Sequence, residues 1–300
     1  MSAVSQRLLH EARPDEIAVT GATGTVGAAV VAELASLGHH PRALVRPGST
    51  ARPPTRSTRV AVDLDDPAAL RSALSGVRAL LLLTPLRPRQ DLLHESLLNA
   101  ALDAGVERGV KLSALGADPE SAVRIHSEHG RSDRAVRESG LSYAILRPNA
   151  FMQNVMQWRG MVARNGTIEL PMGDARISMI DARDIAAVAV RALLDWDGVR
   201  GAYDLTGPQA LSYDDIAEHL SAASGRKVRY VDVAPTVSAD NMRAAGTPAW
   251  AIEARLGLYS TIRAGEAQLL TSTVQRITGR SPCYFADFAA EVSAAFQPVG

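Results

Sequence analysis

A short apolar strand pattern runs into three evenly spaced glycines in Ile17-Ala18-Val19-Thr20-Gly21-Ala22-Thr23-Gly24-Thr25-Val26-Gly27, and a helical pattern continues to Leu34. A strand, a tight glycine turn and a helix N-terminus together suit a dinucleotide pyrophosphate, because the helix offers free backbone N–H groups to the phosphates. Gly21 lets the chain turn off the strand, Gly24 lets the backbone approach phosphate, and Gly27 lets the helix pack on the sheet. The alternative is a glycine-rich turn that binds nothing. The position of the motif at the first strand of an α/β pattern favours dinucleotide binding.

The composition restricts the class of protein. Three hundred residues, of which 46% are hydrophobic, suffice for one large α/β domain or for a main domain with a smaller region. The formal net charge is zero, so nothing indicates a nucleic-acid partner, and no apolar run is long enough for a membrane span. Cys283 is the only cysteine, and the seven histidines lack metal-site spacing, so we expect neither disulfide nor metal. We expect a cytoplasmic, enzyme-sized protein in which residues 1–15 form a flexible extension.

Strand and helix patterns alternate after the glycine turn, which is typical of a doubly wound parallel Rossmann sheet. We predict this NAD(P)-binding domain over residues 16–150, completed by parts of 177–206, and a smaller C-terminal α/β substrate region over 151–300. Further predicted strands of the larger domain lie at 41–46, 59–63, 78–85, 109–113 and 141–148, with helices at 67–74, 90–104 and 121–139. In the smaller region we predict helices at 150–164, 181–194, 213–224, 250–260, 266–271 and from 284, and strands within 167–180 and at 201–205 and 227–231.

The end of the second strand bears on the choice between NAD and NADP. In a dinucleotide fold this position faces the adenosine ribose, where a carboxylate accepts the 2′-hydroxyl of NAD and an arginine suits the 2′-phosphate of NADP. Arg46 stands here with no carboxylate near it, so we predict that NADP(H) is preferred over NAD(H). The alternative for Arg46 is a solvated surface residue. Asp63, at the end of the third strand, either approaches the adenine or caps the following helix.

Four segments in order resemble one protein family. They are Thr20-Gly21-Ala22-Thr23-Gly24-Thr25-Val26-Gly27, Ala43-Leu44-Val45-Arg46, the run SGLSYAILRPNAFMQN from Ser139 to Asn154, and Ile180-Asp181-Ala182-Arg183-Asp184-Ile185-Ala186. Together they resemble the NmrA-like family of atypical short-chain dehydrogenases/reductases. That resemblance implies an NADP-preferring Rossmann domain with a small C-terminal substrate region. The family includes quinone and azo-compound reductases, phenylpropanoid reductases, reductases of aromatic polyketides, and a transcriptional co-regulator that binds dinucleotide.

The resemblance places a cleft beside Ser113, Ala114 and the segment from Pro148 to Phe151. Our candidate cofactor contacts are Gly21, Thr23, Gly24, Thr25, Val26, Gly27, Arg46, Asp63, Leu64, Thr84, Pro85, Ser113, Ala114, Pro148, Asn149 and Phe151. Candidate substrate contacts are Met152, Asn154 and Trp158. Each of these three has an alternative: Asn154 could cap and pack, and Met152 and Trp158 could belong to a core stripe.

The resemblance also bears on which residue would donate a proton. Typical short-chain reductases use a tyrosine followed four residues later by a lysine, and this pair does not occur here, where Lys111 and Lys227 are the only lysines. Phenylpropanoid reductases use a lysine in the helix before the Ser-Gly-Leu strand, and the corresponding position, counted back from Gly140, is His129. Imidazole can shuttle protons near neutral pH, so His129 is our candidate general acid. The alternative is a histidine on the helix surface.

These features predict an NADP-dependent oxidoreductase that delivers hydride to a planar apolar acceptor, either a quinone or an aromatic polyketide-type cyclic ketone. A quinone tolerates the missing lysine because the phenolate that forms is a stable anion. The alternative is a non-catalytic NAD(P)-sensing regulatory protein of the NmrA type. The expected partner is a small aromatic or quinone molecule, with no nucleic acid and no membrane. A homodimer is compatible with the sequence.

Overall fold

A seven-stranded sheet organises the first part of the molecule. The structure is a computed structural model and describes residues 16–54 and 56–297. The predicted extension over residues 1–15 lies outside the described residues. The strands of this sheet are β1 (Ile17–Val19), β2 (Arg42–Val45), β3 (Thr58–Ala61), β4 (Ala79–Leu82), β5 (Arg108–Leu112), β6 (Ser142–Pro148) and β9 (Gly201–Leu205). Their order across the sheet is β3-β2-β1-β4-β5-β6-β9. The remaining strands are β7 (Thr167–Leu170), β8 (Arg176–Ile177), β10 (Leu211–Ser212) and β11 (Arg229–Asp232).

The helices connect these strands in chain order. They are α1 (Thr25–Ser36), α2 (Pro67–Ala73), α3 (Gln90–Asp103), α4 (Arg124–Glu138), α5 (Arg159–Asn165), α6 (Ala182–Leu194), α7 (Tyr213–Ser224), α8 (Pro235–Ala244), α9 (Ala249–Arg263), α10 (Thr273–Thr278) and α11 (Phe285–Glu291). None of the helices in the described ranges is both long and apolar enough to cross a lipid bilayer.

The order of the sheet confirms the predicted doubly wound Rossmann fold. From β1 the chain moves outward through β2 to β3, and then returns to the other side of β1 and moves outward through β4, β5 and β6. The strand order therefore reverses between β1 and β4, the position where such sheets bind ligands at the carboxyl ends of their strands. Strand β4 is apolar throughout and fully buried, as expected for a parallel strand covered on both faces.

Contacts between Cα atoms divide the chain into two compact units. The first unit takes in the described residues of Met1–Ser121, His126–Arg147 and Ala182–Tyr203, and the second those of Ala122–Ile125, Pro148–Asp181 and Asp204–Gly300. In the first unit, α1 packs against α6, and α2 against α3. The second unit has its own apolar core, in which α7 packs against α11 beside the parallel pair β7 and β11.

Helix α7 shows how local sequence can determine an element. Ser212 Oγ accepts a hydrogen bond from the Asp215 N–H at 3.0 Å, and Asp215 Oδ2 accepts one from the Ser212 N–H at 2.9 Å. This reciprocal capping box satisfies two N–H groups that the helix would otherwise leave unpaired. The predicted helix over 213–224 with its Ser212 cap is confirmed.

Two predicted helices of the second unit differ from the structure. The segment 150–164 forms a 3₁₀ helix over Met152–Trp158 followed by α5, and not one α-helix. The predicted helix over 266–271 is wrong, because Gly265 with φ +83° lies just after the end of α9 and the backbone beyond it bonds to other elements. The Ala267 carbonyl accepts from the Ser178 N–H at 3.0 Å, and the Thr271 N–H donates to Thr206 Oγ1 at 3.0 Å. Helices α8 and α10 are elements that the sequence patterns missed.

Candidate active site

The glycine turn between β1 and α1 has a geometry that only glycine allows at two positions. Gly21 has φ +61°, in the left-handed region, and a Cβ there would lie 2.6 Å from Leu83 Cδ2. A Cβ at Gly27 would lie 2.1 Å from the Gly21 carbonyl oxygen. The first turn of α1 therefore packs directly on the chain that leaves β1, and side chains at these two glycines would separate them.

The N-terminus of α1 fits a dinucleotide phosphate group. Gly24 is the N-cap residue and supplies no side-chain cap, and the first turn contains no acidic residue. Thr23, Gly24 and Thr25 are exposed, so the free N–H groups of this twelve-residue helix are reachable by a ligand. Free N–H groups and the positive end of the helix dipole both favour an anion at this position.

Thr20, the last residue before the glycine turn, joins the two central strands. Its hydroxyl lies 2.8 Å from the carbonyl oxygens of Leu81 and Leu83, and it accepts a hydrogen bond from the Leu83 N–H at 2.8 Å. Thr20 is completely buried. Sequence reasoning assigned it no separate role, although a hydroxyl at the end of an apolar strand is a visible signal.

Arg46 and Asp63 follow the ends of β2 and β3. Arg46 is exposed, and within the part of the chain that the structure describes its guanidinium makes no ion pair or hydrogen bond, so it is available to a ligand. Asp63 Oδ1 accepts a hydrogen bond from the Asp65 N–H at 3.0 Å, which holds the turn after β3. The cap of α2 is Asp66, which accepts from two N–H groups of that helix, so the capping alternative for Asp63 is wrong.

The segments after β4 and β5 lie at the same edge of the sheet as the glycine turn. Thr84 is half-buried and Pro85 is exposed, and they follow Leu83, the first residue beyond the buried strand β4. Ser113 follows β5 and is 5% exposed, and its hydroxyl has no hydrogen-bond partner among the described residues. A buried hydroxyl without a partner is unusual in proteins, and here it is free to bond to a ligand. Leu64, in contrast, packs against the apolar core of the first unit.

A buried cluster of charged side chains lies between β5 and helix α4. Lys111 Nζ is 2.8 Å from Asp133 Oδ1, and both side chains are completely inaccessible to solvent. Arg147 donates to Asp133 Oδ2 at 2.8 Å. Burial lowers the pKa of Lys111 to about 8, and the attraction of Asp133 opposes this shift. The carboxylate of Asp133 therefore forms ion pairs with two cations, Lys111 and Arg147.

His129 belongs to this cluster and is not a solvated residue of the helix surface. It is half-buried, with its Nδ1 atom 3.4 Å from Lys111 Nζ and its Nε2 atom 3.0 Å from the side-chain amide of Gln90. Burial, followed by the positive charge of Lys111, lowers the pKa of His129 well below its ordinary value. The imidazole is therefore neutral near pH 7. Sequence reasoning found His129 but missed Lys111 and Gln90, because their proximity depends on the packing of α3 and α4 over β5.

Several candidates in the second unit have structural partners. The Asn149 side-chain amide donates to Ser178 Oγ at 2.8 Å and to the Ala267 carbonyl at 2.7 Å, and its oxygen accepts from the Ala150 N–H. Both donors of that amide are thus committed to the fold. Met152 is 1% exposed within the apolar core, which supports its core alternative over a substrate contact.

The neighbouring candidates keep more of their surface. Asn154 is half-buried, and its side chain has no hydrogen-bond partner among the residues described. Phe151 is half-buried and forms a bridge with Ile180, while Pro148 is buried at the end of β6. Between them, Gln153 donates a hydrogen bond to Asp181 at 3.1 Å.

Trp158 lies on the wall of a cavity within the second unit. The cavity has a volume of about 620 Å³, within the range of small-molecule sites. Its other walls include the aromatic, sulfur-containing and basic side chains of Tyr259, Met161, Met242, Arg164 and Arg255. Such a lining suits a flat aromatic molecule, because rings stack on aromatic side chains and methionine adapts to their shape.

Several known reductases resemble this chain in sequence and in fold. NAD(P)H azoreductase of Xenophilus azovorans is 39% identical over 282 residues, which cover 93% of this chain and 99% of that protein. The NADPH complex of an NADPH-dependent quinone oxidoreductase from Escherichia coli superposes with a TM-score of 0.83 at 27% identity, over 92% of this chain and 99% of that one. Triphenylmethane reductase from Citrobacter sp., complexed with NADP(H), gives a TM-score of 0.81 at 26% identity over the same shares.

The Rossmann sheet, its glycine turn and these relatives define an NAD(P)H-dependent reductase. The model of the NmrA-like family matches residues 13–261, and the chain belongs to that family. The predicted family and reductase class are confirmed. The alternative of a purely regulatory protein receives no support from these relatives.

Proposed function

We propose that this reductase prefers NADPH and reduces planar, mainly apolar acceptors, with quinones favoured over cyclic aromatic ketones. The observation that carries the choice of acceptor is the surroundings of His129: the ring is half-buried with its Nδ1 atom 3.4 Å from Lys111 Nζ, and burial and the lysine charge both lower the pKa of the imidazole. A neutral imidazole is a poor acid. The reduction of a ketone forms a strongly basic alkoxide, so this reaction needs an effective proton donor. A quinone gives a phenolate, which is stable without one.

The first unit supplies the groups that would hold the cofactor. The free N–H groups at the start of α1 would bind the pyrophosphate, and the guanidinium of Arg46 would bind the 2′-phosphate. Ser113 would offer its unpartnered hydroxyl at the end of β5. When bound, the reduced nicotinamide supplies the hydride.

The second unit supplies a surface for the acceptor. Trp158 and Tyr259 face one cavity, and flat rings placed there would contact aromatic side chains. Arg255 lines the same cavity, so acceptors that carry an anionic group are compatible with it. An azoreductase and a quinone oxidoreductase are among the proteins similar to this chain, which supports acceptors of this shape.

The test measures binding and turnover separately. NADPH and NADH are titrated into the protein while cofactor fluorescence is followed, and then a naphthoquinone or a bicyclic aromatic ketone of similar size is added while NADPH absorbance is followed. We expect tighter binding of NADPH and faster protein-dependent oxidation with the quinone, after subtraction of the rate without protein. Equal binding of the two cofactors would contradict the NADP preference. A faster rate with the ketone would contradict the proposed acceptor.

A further inference from the structure

The cavity of the second unit carries an excess of positive charge. Its charged lining residues are two arginines, Arg164 and Arg255, and one glutamate, Glu169. The Glu169 Oε1 atom accepts hydrogen bonds from Asn165 Nδ2 and Thr167 Oγ1, both at 2.8 Å, so its carboxylate is held by neutral donors. Within the described part of the chain, neither arginine forms an ion pair with Glu169 or with another carboxylate. The two guanidinium groups are therefore left for a ligand.

Arg255 is the arginine whose lack of a carboxylate partner is most unusual, because it is half-buried. Among the described residues its guanidinium has one polar contact, with Met242 Sδ at 3.9 Å, and thioether sulfur is a weak acceptor. Arg263 lies about two turns later on the same helix, α9, and donates to the two oxygens of Asp232 at 2.9 and 3.2 Å. The fold thus gives a carboxylate to the arginine outside the cavity and none to the arginine that lines it.

Two segments each bring an aromatic ring and a guanidinium group to this cavity. Tyr259 follows Arg255 by four residues, so the two side chains lie on the same face of α9, about one turn apart. Burial raises the pKa of Tyr259, and the positive charge of Arg255 opposes the rise, so that charge acts on the phenol that lines the cavity. Trp158 and Arg164 line it from the 3₁₀ helix and from α5, which follows directly. A molecule in the cavity therefore meets rings and cations together.

We propose that this cavity selects aromatic acceptors that carry a carboxylate or sulfonate group, and that Arg255, assisted by Arg164, determines this selectivity. The inference rests on the proposed function, in which the cavity receives the acceptor. The flat ring would lie against Trp158 or Tyr259, and the oxyanion would accept hydrogen bonds from the guanidinium groups. The planar fork of arginine matches two oxygens of such an anion. A neutral quinone would make the same ring contacts but would leave the guanidinium groups without an anion.

The two arginines should contribute unequally. Arg164 is exposed at the end of α5, and its Nη1 atom lies 3.6 Å from the position that a Cβ at Gly160 would take, so its guanidinium lies along its own helix. Water and salt screen an exposed ion pair, which contributes little. Arg255 is half-buried, and an anion beside it is screened less. We therefore expect Arg255 to account for most of the selectivity.

The first test measures binding without cofactor or turnover. A naphthalene sulfonate and the corresponding neutral naphthalene sulfonamide are titrated into the protein in a calorimeter. We expect the sulfonate to bind about tenfold more tightly, as for a charge-assisted hydrogen bond. Arg255→Gln should remove most of this preference and Arg164→Gln a smaller part, whereas Arg263→Gln should retain it. Equal affinities in the wild type, no binding of the sulfonate, or an unchanged preference in Arg255→Gln would overturn the proposal.

Two further variants test the location and the geometry of binding. Trp158→Ala should weaken the sulfonate and the sulfonamide by a similar factor, because both lose the same ring contact. Arg255→Lys keeps a positive charge but not the planar fork, so it should retain only part of the preference. Affinities that are unchanged in Trp158→Ala would place both compounds outside this cavity and would overturn the assignment.

The last test separates this inference from the proposed function. KM is measured for a naphthoquinone and for its sulfonate at saturating NADPH. We expect the KM of the sulfonate, relative to that of the unsubstituted quinone, to rise about tenfold in Arg255→Gln and to keep its wild-type value in Arg263→Gln. If the wild type reduces both quinones and this ratio is unchanged in Arg255→Gln, the selectivity is refuted and the proposed function stands. If the wild type reduces neither, the proposed function fails, and the calorimetry still decides whether the cavity binds aromatic anions.

Discussion

The Thr20 hydroxyl accepts a hydrogen bond from the Leu83 N–H at 2.8 Å and lies 2.8 Å from the Leu83 carbonyl oxygen. It thereby ties the end of β1 to the segment that follows β4, across the position where the strand order reverses. The same leucine packs against Gly21, where a Cβ would meet it at 2.6 Å. The glycine turn and the segment after β4 are thus held as one piece, and both supply proposed cofactor contacts.

Thr20→Val should destabilise the protein by about 1–3 kcal/mol, because the buried Leu83 N–H loses its acceptor while the volume of the side chain is kept. It should also weaken NADPH binding, since the turn and the segment after β4 lose their connection. Urea unfolding and fluorescence titration measure the two effects. Thr20→Ser keeps the hydroxyl and serves as the control. A valine variant as stable as the serine variant would show that this hydrogen bond does not hold the site.

Arg46→Ala should weaken the binding of NADPH much more than that of NADH. A charge-assisted hydrogen bond contributes about 1.5–3 kcal/mol, or roughly ten- to hundredfold in the dissociation constant. The control is Arg71→Ala, which removes an exposed arginine that pairs with Asp103 on the neighbouring helix. Equal losses for the two cofactors would contradict a role for Arg46 at the 2′-phosphate.

The fold was predictable from local patterns because its decisive features are local. Buried parallel strands such as β4 form continuous apolar runs, the glycine turn needs Gly21 and Gly27 within seven residues, and α7 carries its own capping box. The helix predicted over 266–271 failed for the opposite reason. There, hydrogen bonds from residues far away in sequence, such as Ser178 and Thr206, override the helical propensity of the segment.

The site was predictable only in part for the same physical reason. His129 could be found by position along its helix, and Arg46 by its position after a strand. Lys111 is visible in the sequence as a charge between Val110 and Leu112, but its partners Asp133 and His129 come from α4. Those two residues in turn contact Arg147 of β6 and Gln90 of α3. Which side chains meet across those elements depends on packing, which a single sequence does not reveal.

Asp133→Asn should destabilise the protein far more than Lys111→Met. The asparagine variant leaves two cations, Lys111 and Arg147, without their shared carboxylate, and breaking a buried ion pair in this way costs about 3–5 kcal/mol. The methionine variant leaves Arg147 paired with Asp133, so we expect it to change stability by about 1 kcal/mol or less. Urea unfolding at pH 7 compares the two. The reverse order would mean that Lys111, and not Arg147, is the main partner of Asp133.

His94 should make the protein less stable in mild acid. It is 2% exposed, neither ring nitrogen has a hydrogen-bond partner in the described ranges, and burial together with Lys111 lowers its pKa well below the ordinary value. Below about pH 6.5 the unfolded chain therefore binds a proton that the folded chain does not. Stability is fully present above that pH and decreases below it by about 1.4 kcal/mol per pH unit for this group.

His94→Leu should remove the part of the pH dependence of stability that His94 contributes. Its unfolding free energy should decrease less steeply between pH 6.5 and 5 than that of the wild type, and stability at pH 7 should be retained because no hydrogen bond is lost. The comparison is His40→Gln, which changes a histidine outside the buried cluster. Urea unfolding at a series of pH values measures both. Identical acid slopes in His94→Leu and the wild type would show that His94 takes up its proton in the folded state.

Trp158→Ala should raise the KM for a quinone about tenfold, which corresponds to about 1.4 kcal/mol, because the acceptor loses an aromatic wall of its cavity. The dissociation constant of NADPH should not change, since the proposed phosphate and ribose contacts belong to the first unit. Trp158 also contacts the Tyr213 ring at 5.9 Å between centroids, so unfolding must be measured in parallel to separate binding from stability. Trp158→Phe keeps a ring and should have a smaller effect, and the exposed Tyr284→Ala should have none. A KM that is unchanged in a folded Trp158→Ala variant would place the acceptor outside this cavity.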